Sequence, residues 1–215
     1  MSMIPEAFKN IVRAFKPRSP RQKARQEFLS IQMTAQDIAI DCGANVGKIT
    51  KLLARQPATI YAFEPNPYAF RLLQAQFKDA PQVHCRQQGV LDCNAVIPLY
   101  LHKNAVQDQV YWSTGSSLLA YKGNVTQGNS VAVEVIDLAA FITSLNSRVK
   151  ILKLDVEGVE CRILRRLISE RVVDLIDHIF VETHDHKIPA LKAETDALRH
   201  YIRKHRLTHI NLHWK

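Results

Sequence analysis

Short apolar segments alternate with amphipathic segments along most of the chain, and this alternation predicts its secondary structure. Six apolar runs predict buried strands, at 37–41, 59–63, 83–90, 149–154, 178–183 and 207–214. Apolar positions at helical spacing predict four helices between them, at 47–55, 67–77, 159–169 and 189–205. Alternation of this kind indicates an α/β fold with a mostly parallel central sheet flanked by helices.

The middle of the chain breaks the alternation. Apolar runs at 96–101 and 130–136 predict two strands with no helix between them, so we expect an antiparallel excursion between the third and fourth core strands. Residues 102–129 are polar and rich in turn formers, which predicts a loop over the carboxyl edge of the sheet. In this loop, Tyr111 and Trp112 either stack on a sugar ring or anchor the loop to the core.

The first 34 residues follow a different pattern. They contain seven basic and two acidic residues, more than half of the net charge of +9. An apolar stripe at helical spacing lies among these charges: Phe8, Ile11, Val12 and Phe15. A second basic stretch, 21–30, also predicts a helix. We divide the chain into a basic N-terminal helical extension, 1–34, and one domain, 35–215. The extension either caps that domain or docks on an anionic membrane surface.

Composition narrows the class of protein. A chain of 215 residues that is 47% hydrophobic can form one domain with a substantial core. It has no run near the ~18 apolar residues that a membrane span needs, and its N-terminus lacks the apolar region of a secretory signal. The four cysteines form no CxxC pair, which is typical of reduced thiols. We therefore expect a cytoplasmic protein, with peripheral contact to the inner membrane face through the extension.

The turn after the first strand carries the strongest chemical signal. Asp41 ends the strand, and a Gly-x-x-x-Gly turn from Gly43 to Gly47 opens a helix. Glycine permits a tight turn, and a helix start presents free N–H groups to a carboxylate or phosphate. A dinucleotide fold normally has GxGxxG here. The leading Asp instead suits an ammonium group, and S-adenosyl-L-methionine carries both an ammonium and a carboxylate.

A second acid supports a nucleotide site. Glu64 ends the second strand, 23 residues after Asp41. A carboxylate there accepts hydrogen bonds from the ribose hydroxyls of NAD or S-adenosylmethionine, although a helix-capping or salt-bridged acid also occurs at strand ends. Asn66 and Pro67 suit the N-cap and first position of the next helix. The residues that we assign to the cofactor are Asp41, Gly43, Ala44, Asn45, Gly47, Glu64, Asn66 and Asp92.

Four motifs, in order, resemble the FkbM-type methyltransferase family. They are 40–47 with 63–67, Ser116-Ser117-Leu118, 131–138 and 153–160. The resemblance covers residues 37 to 185. It implies a Rossmann-like class I methyltransferase fold, S-adenosylmethionine as cofactor and methyl transfer to a hydroxyl oxygen. It also implies a hydroxylated acceptor: a sugar, a glycolipid or another natural product. We expect one strand after the last helix, where related methyltransferases usually have two.

The last motif places acids where an acceptor would bind. Asp155 and Glu157 follow a strand and are candidate bases for the acceptor hydroxyl, although an acidic first helical turn would also explain Glu157. His184, after the next strand, is a third candidate base. The three together could hold a divalent cation, but we assign no metal. Three residues are assigned to the substrate: Ser116, Ser117 and Lys153. A simple turn would explain the serines equally, and pairing with a neighbouring acid would explain the lysine.

Three other functions compete with O-methylation. The charge of +9 suggests an RNA methyltransferase. However, much of that charge lies in the extension, and residues 155–158 lack the Asn/Asp-Pro-Pro-aromatic turn of many base methylases, so nucleic acid is disfavoured. A nicotinamide oxidoreductase is disfavoured by the missing GxGxxG. A non-catalytic protein that binds S-adenosylmethionine would share the fold without the activity.

Overall fold

A computed structural model describes residues 17–105, 107–119 and 122–214. The predicted apolar stripe in 1–16 lies outside these residues, so capping and membrane docking both remain predictions. No helix among the described residues is long and apolar enough to cross a membrane.

The chain forms two sheets. Its strands are β1 (Ile38–Cys42), β2 (Thr59–Phe63), β3 (Val83–Arg86), β4 (Gly89–Leu91), β5 (Ala95–His102), β6 (Val125–Asp137), β7 (Val149–Leu154), β8 (Ile176–Val181) and β9 (Ile210–Asn211). A parallel six-stranded sheet has the order β3-β2-β1-β7-β8-β9. A separate sheet has the order β4-β6-β5, with β6 antiparallel to β5 and parallel to β4. The Rossmann-like fold and the antiparallel excursion are confirmed.

Six α-helices accompany the sheets in the described part of the chain. They are α1 (Pro20–Ser30), α2 (Lys48–Leu53), α3 (Pro67–Gln76), α4 (Leu138–Ser144), α5 (Glu160–Ser169) and α6 (Lys192–Lys204). Asn66 caps α3 as predicted, since its side chain accepts hydrogen bonds from the backbone N–H groups of Tyr68 and Ala69. The sequence pattern missed the short helix α4, which Asp137 caps in the same way.

Several predicted elements differ from the observed ones. The strand predicted at 130–136 begins at Val125, inside the predicted loop, and the strand predicted at 178–183 is Ile176–Val181. The strand predicted at 83–90 is interrupted at residues 87–88, and its two parts, β3 and β4, belong to different sheets. The helix predicted at 189–205 begins with a separate 3-10 turn, Pro189–Leu191. The last strand pairs over only two residues, Ile210 and Asn211, with β8. In the last two cases the predicted segment is longer than the observed element.

Two apolar clusters fill the space on the two faces of the main sheet. Successive residues of one strand alternate between them: Ala39 and Ile151 belong to one cluster, Ile40 and Leu152 to the other. This period of two is expected for strands that are buried on both faces. Helix α1 contributes Phe28 to the first of these clusters. Because β1, β2 and β7 are parallel neighbours, their carboxyl ends lie at the same edge of the sheet.

Candidate active site

The glycine turn after β1 is shaped by backbone constraints. Gly43 has φ +75°, and a Cβ there would overlap the carbonyl oxygen of Asp155, which follows β7. Gly47 has φ +89°, and a Cβ there would lie 2.8 Å from the Phe77 ring. Asn45 between them has φ +51°. The turn therefore requires glycine at both ends, for left-handed backbone and for close packing.

Glu64 is held by the same turn. One carboxylate oxygen accepts the backbone N–H of Asn45 and the other accepts that of Asn66, each at 2.8 Å. The side chain is buried, and this burial raises the pKa of Glu64 to about 7, against the opposing effect of the two N–H donors. Each oxygen keeps a further lone pair, so the carboxylate can still accept a hydroxyl hydrogen.

Asp41 is paired within the protein. Its carboxylate accepts a hydrogen bond from the Thr50 hydroxyl at 2.7 Å and lies 3.1 Å from the Lys153 ammonium. The Lys153 ammonium also donates to the carbonyls of Cys42 and Gly43. Burial acts to lower the pKa of Lys153, but the facing carboxylates outweigh it and raise that pKa. The structure does not bring Asp41 to the cavity surface, whereas Lys153 does line it.

Asp155 and Glu157 stand beyond the end of β7. Both line the cavity and keep about a fifth of their side-chain surface exposed, at 18% each. Glu157 has φ +60°, a conformation that costs a non-glycine residue ~1 kcal/mol or more. The Lys122 ammonium donates a hydrogen bond to Oε2 of Glu157 at 2.6 Å. The predicted pair of acids is therefore together at the cavity.

His184 lies behind these acids and does not line the cavity. Its Nε2 atom is 3.6 Å from Oδ1 of Asp155 and 3.4 Å from Oε2 of Glu157. Its Nδ1 atom is 2.8 Å from Oε1 of Glu160. Burial acts to lower the pKa of His184, but the hydrogen bond to Glu160 and the surrounding carboxylates outweigh it and raise that pKa.

The central loop closes on this site. Ser116 and Ser117 both line the cavity, and the Ser117 hydroxyl donates to the backbone carbonyl of Glu157 at 2.7 Å. The side-chain amide of Asn66 donates to the Ser116 hydroxyl at 3.2 Å, and that of Asn45 donates to Ser113 at 2.8 Å. The loop is thus tied both to the turn after β1 and to the motif after β7.

These groups surround one cavity of about 550 Å³, within the usual range for small-molecule sites. It lies where the strand order reverses between β1 and β7, the position that open α/β sheets use for ligands. The predicted site residues that line it are Gly43, Ala44, Asn45, Glu64, Ser116, Ser117, Lys153, Asp155 and Glu157. Gly47 and Asn66 do not line the cavity. Gly47 closes the turn, and Asn66 caps α3.

Other predicted residues are placed elsewhere. Asp92 accepts two hydrogen bonds from the Arg162 guanidinium and does not line the cavity, so its cofactor role stays a prediction. Trp112 stacks on His102 of β5, with ring centroids 4.4 Å apart. Tyr111 is exposed and also lies outside the lining.

Sequence reasoning missed several residues of the site. Ser113 and Lys122 belong to the central loop and have no local pattern that marks them. Arg21 and Arg25 of α1 line the cavity, together with Trp214 near the other end of the chain. The basic run of α1 was visible in the sequence, but its position beside the cavity depends on tertiary packing.

The chain is similar to several known methyltransferases. Methyltransferase 1 of Beauveria bassiana (strain ARSEF 2860) is 29% identical over 170 residues, which are 73% of this chain and 68% of that protein. A methyltransferase FkbM structure from Methylobacillus flagellatus KT matches 67% of this chain at 14% identity and a TM-score of 0.44. This match spans about a third of the Methylobacillus protein, 32% of its chain.

An rRNA methylase from Streptococcus thermophilus matches 87% of this chain and 80% of its own, at 12% identity and a TM-score of 0.46. Likeness at such identities concerns the fold alone. The family model of the methyltransferase FkbM domain, in contrast, matches residues 41–207, which include the glycine turn, Glu64 and the acidic motif. The chain therefore belongs to the FkbM methyltransferase family.

Proposed function

We propose that the protein transfers a methyl group from S-adenosylmethionine to a hydroxyl oxygen of a sugar, glycolipid or other hydroxylated small molecule. One observation carries this proposal. A single cavity has the buried carboxylate of Glu64 on one side and the carboxylates of Asp155 and Glu157 on another. The first suits the cofactor's ribose, and the other two suit an acceptor that must lose a proton.

The residues around Glu64 fit the cofactor. Glu64 can accept hydrogen bonds from hydroxyl groups, as the ribose requires. Apolar side chains that suit an adenine ring also line the cavity: Phe63, Val90 and Leu99. Asp41 is already paired with Lys153, and the backbone N–H groups of Gly43, Ala44 and Asn45 already donate to Phe63 and Glu64. The cofactor's ammonium is therefore expected to contact backbone carbonyls of the turn rather than the Asp41 carboxylate.

The acids after β7 fit the acceptor. When bound, S-adenosylmethionine would supply an electrophilic methyl group on its sulfonium for the acceptor oxygen, with the thioether as leaving group. Asp155 takes the hydroxyl proton, since its carboxylate lines the cavity and is partly exposed. Glu157, held by Lys122, orients the acceptor. The central loop limits water above the reacting atoms.

Methyl transfer from labelled S-adenosylmethionine tests the proposal. The purified chain is incubated with separate pools of sugars, glycolipids and RNA, beside matched variants Asp155→Asn and Asp79→Asn. We expect label in a hydroxylated small-molecule pool and a large loss of label with Asp155→Asn. We expect no loss with Asp79→Asn, whose exposed carboxylate lies outside the cavity. Label in RNA alone would identify an RNA methyltransferase. Cofactor binding without transfer to any pool would favour the non-catalytic alternative.

A further inference from the structure

We propose that Asp155, Glu157 and His184 hold a divalent cation of the Mn²⁺ type at the wall of the cavity. One side-chain donor atom from each residue lies within 4.8 Å of the other two. The site deepens the proposed function, on which its catalytic use rests. Binding of the ion itself does not depend on that function.

His184 has the arrangement of a metal ligand. Its side chain has no exposed surface, and its Nε2 atom has no hydrogen-bond partner among the described residues. The Nδ1 atom lies 2.8 Å from Oε1 of Glu160, a contact that favours the ring proton on Nδ1, although both ring nitrogens fall outside hydrogen-bond geometry. The lone pair of Nε2 then points at carboxylate oxygens. Histidines that bind metals commonly donate their other N–H to a carboxylate in this way.

Glu160 is itself fixed in place. Its Oε1 atom accepts the backbone N–H groups of Val156 at 3.0 Å and Gly158 at 3.2 Å. The carboxylate is almost fully buried at the start of α5. Glu160 therefore holds the His184 ring in one orientation, and the same backbone segment carries Asp155 and Glu157.

The spacing of the donor atoms fits a single ion. Around Nε2 of His184 lie Oε2 of Glu157 at 3.4 Å, Oε1 of Glu182 at 3.5 Å and Oδ1 of Asp155 at 3.6 Å. Donors that share an octahedral ion with bonds of about 2.1 Å stand about 3 Å apart when adjacent and about 4 Å apart when opposite. Carboxylate ligands suit Mn²⁺, and imidazole suits the later first-row metals. A set of carboxylates with one imidazole therefore favours a divalent first-row cation of the Mn²⁺ type.

The charge around the cluster is also consistent with a divalent ion. Five carboxylates belong to the network: Asp41, Asp155, Glu157, Glu160 and Glu182. Three lysines pair with them: Lys122, Lys153 and Lys187. A divalent cation between these carboxylates and His184 would offset part of their mutual repulsion, and the competing arrangement is a protonated His184.

The position of the cluster gives the ion a use. Asp155 and Glu157 line the cavity, whereas His184 lies behind them. An ion among the three would therefore face the space that the acceptor enters. A divalent cation lowers the pKa of an oxygen that approaches it, which would help a sugar hydroxyl to lose its proton.

Titration with Mn²⁺ tests the site in the absence of S-adenosylmethionine. The full chain is freed of metal by dialysis against a chelator, and free Mn²⁺ is followed by electron paramagnetic resonance. We expect one Mn²⁺ per chain. His184→Asn should weaken binding by about tenfold or more, and Glu160→Gln by about 10- to 100-fold. His200→Asn, an exposed histidine on α6, should bind as the parent does.

Thermal unfolding of each variant shows that it is folded. If His184→Asn does not fold, Asp155→Asn replaces it, because Asp155 is partly exposed and the substitution keeps its shape. The proposal is overturned if the parent binds no Mn²⁺, or if the folded ligand variants bind it as tightly as the parent. S-adenosylmethionine binding without Mn²⁺ binding would reject the ion and leave the proposed function standing. Mn²⁺ binding without S-adenosylmethionine binding would support the ion site and reject the proposed function.

Discussion

The Lys153 ammonium lies 3.1 Å from the Asp41 carboxylate, and both side chains are almost completely buried. The two residues are register partners on the adjacent parallel strands β1 and β7. Asp41 precedes the glycine turn and Lys153 precedes the acidic motif. This ion pair therefore joins the turn after β1 to the acidic motif after β7.

Replacement of Lys153 by Met should lower the free energy of unfolding by about 3–5 kcal/mol, because it leaves a buried carboxylate without its cation. Lys150→Met is the matched control on the same strand. Its partner is Asp177, and both side chains are between a quarter and a third exposed, so the expected loss is below about 1 kcal/mol. Urea denaturation measures the free energy of unfolding of both variants. Equal losses would show that the buried pair stabilises the fold no more than the partly exposed pair does.

Helix α1 should contribute to the stability of the domain. Phe28 packs against Trp214 and Phe180, with ring centroids 4.6 Å and 5.3 Å away. Phe28→Ala should therefore cost about 3–5 kcal/mol. Leu29→Ala, at a neighbouring position that is 53% exposed, should change stability by about 0.5 kcal/mol or less. If Phe28→Ala unfolds at the same urea concentration as the parent, α1 is a loosely attached extension.

Some residues of the site were predicted from the sequence, and others depend on tertiary contacts. The turn Gly43–Gly47, Glu64 and the acids Asp155 and Glu157 were predicted from the sequence, because each is a local pattern at a strand end, and the structure places them around one cavity. The contact between Lys122 and Glu157 joins residues 35 positions apart, and no local pattern marks it. The helix α1 was assigned to an extension from its charge, but its place beside the cavity depends on the packing of Phe28 on distant aromatic residues.

Binding of S-adenosylmethionine should depend on pH through Glu64. Because burial raises the pKa of this carboxyl to about 7, the carboxylate form that accepts the ribose hydroxyls is lost as pH falls below that value. Affinity should be about tenfold weaker at about pH 6 than at about pH 8. In Glu64→Gln the dependence should disappear, whereas exposed Glu134→Gln should keep it. Calorimetry at the two pH values makes the comparison, and an unchanged slope in Glu64→Gln would assign the titration elsewhere.

The acid at the end of β7 should act on the rate rather than on cofactor affinity. Asp155→Asn removes the proposed base while keeping the shape of the side chain, so transfer should slow by about 100-fold or more. The dissociation constant for S-adenosylmethionine should stay within about twofold of the parent's. Single-turnover kinetics and calorimetry on the same preparation separate the two quantities. A fall of affinity in step with the rate would place Asp155 in the cofactor site.

Calorimetric titration of S-adenosylmethionine into the parent chain and into Glu64→Ala tests the central claim most directly. NAD and a short RNA serve as comparison ligands. We expect one bound S-adenosylmethionine per parent chain and binding weaker by about tenfold or more in Glu64→Ala, since a buried charge-assisted hydrogen bond is worth about 1.5–3 kcal/mol. The claim is contradicted if the parent prefers NAD or RNA, or if a folded Glu64→Ala protein binds S-adenosylmethionine as tightly as the parent.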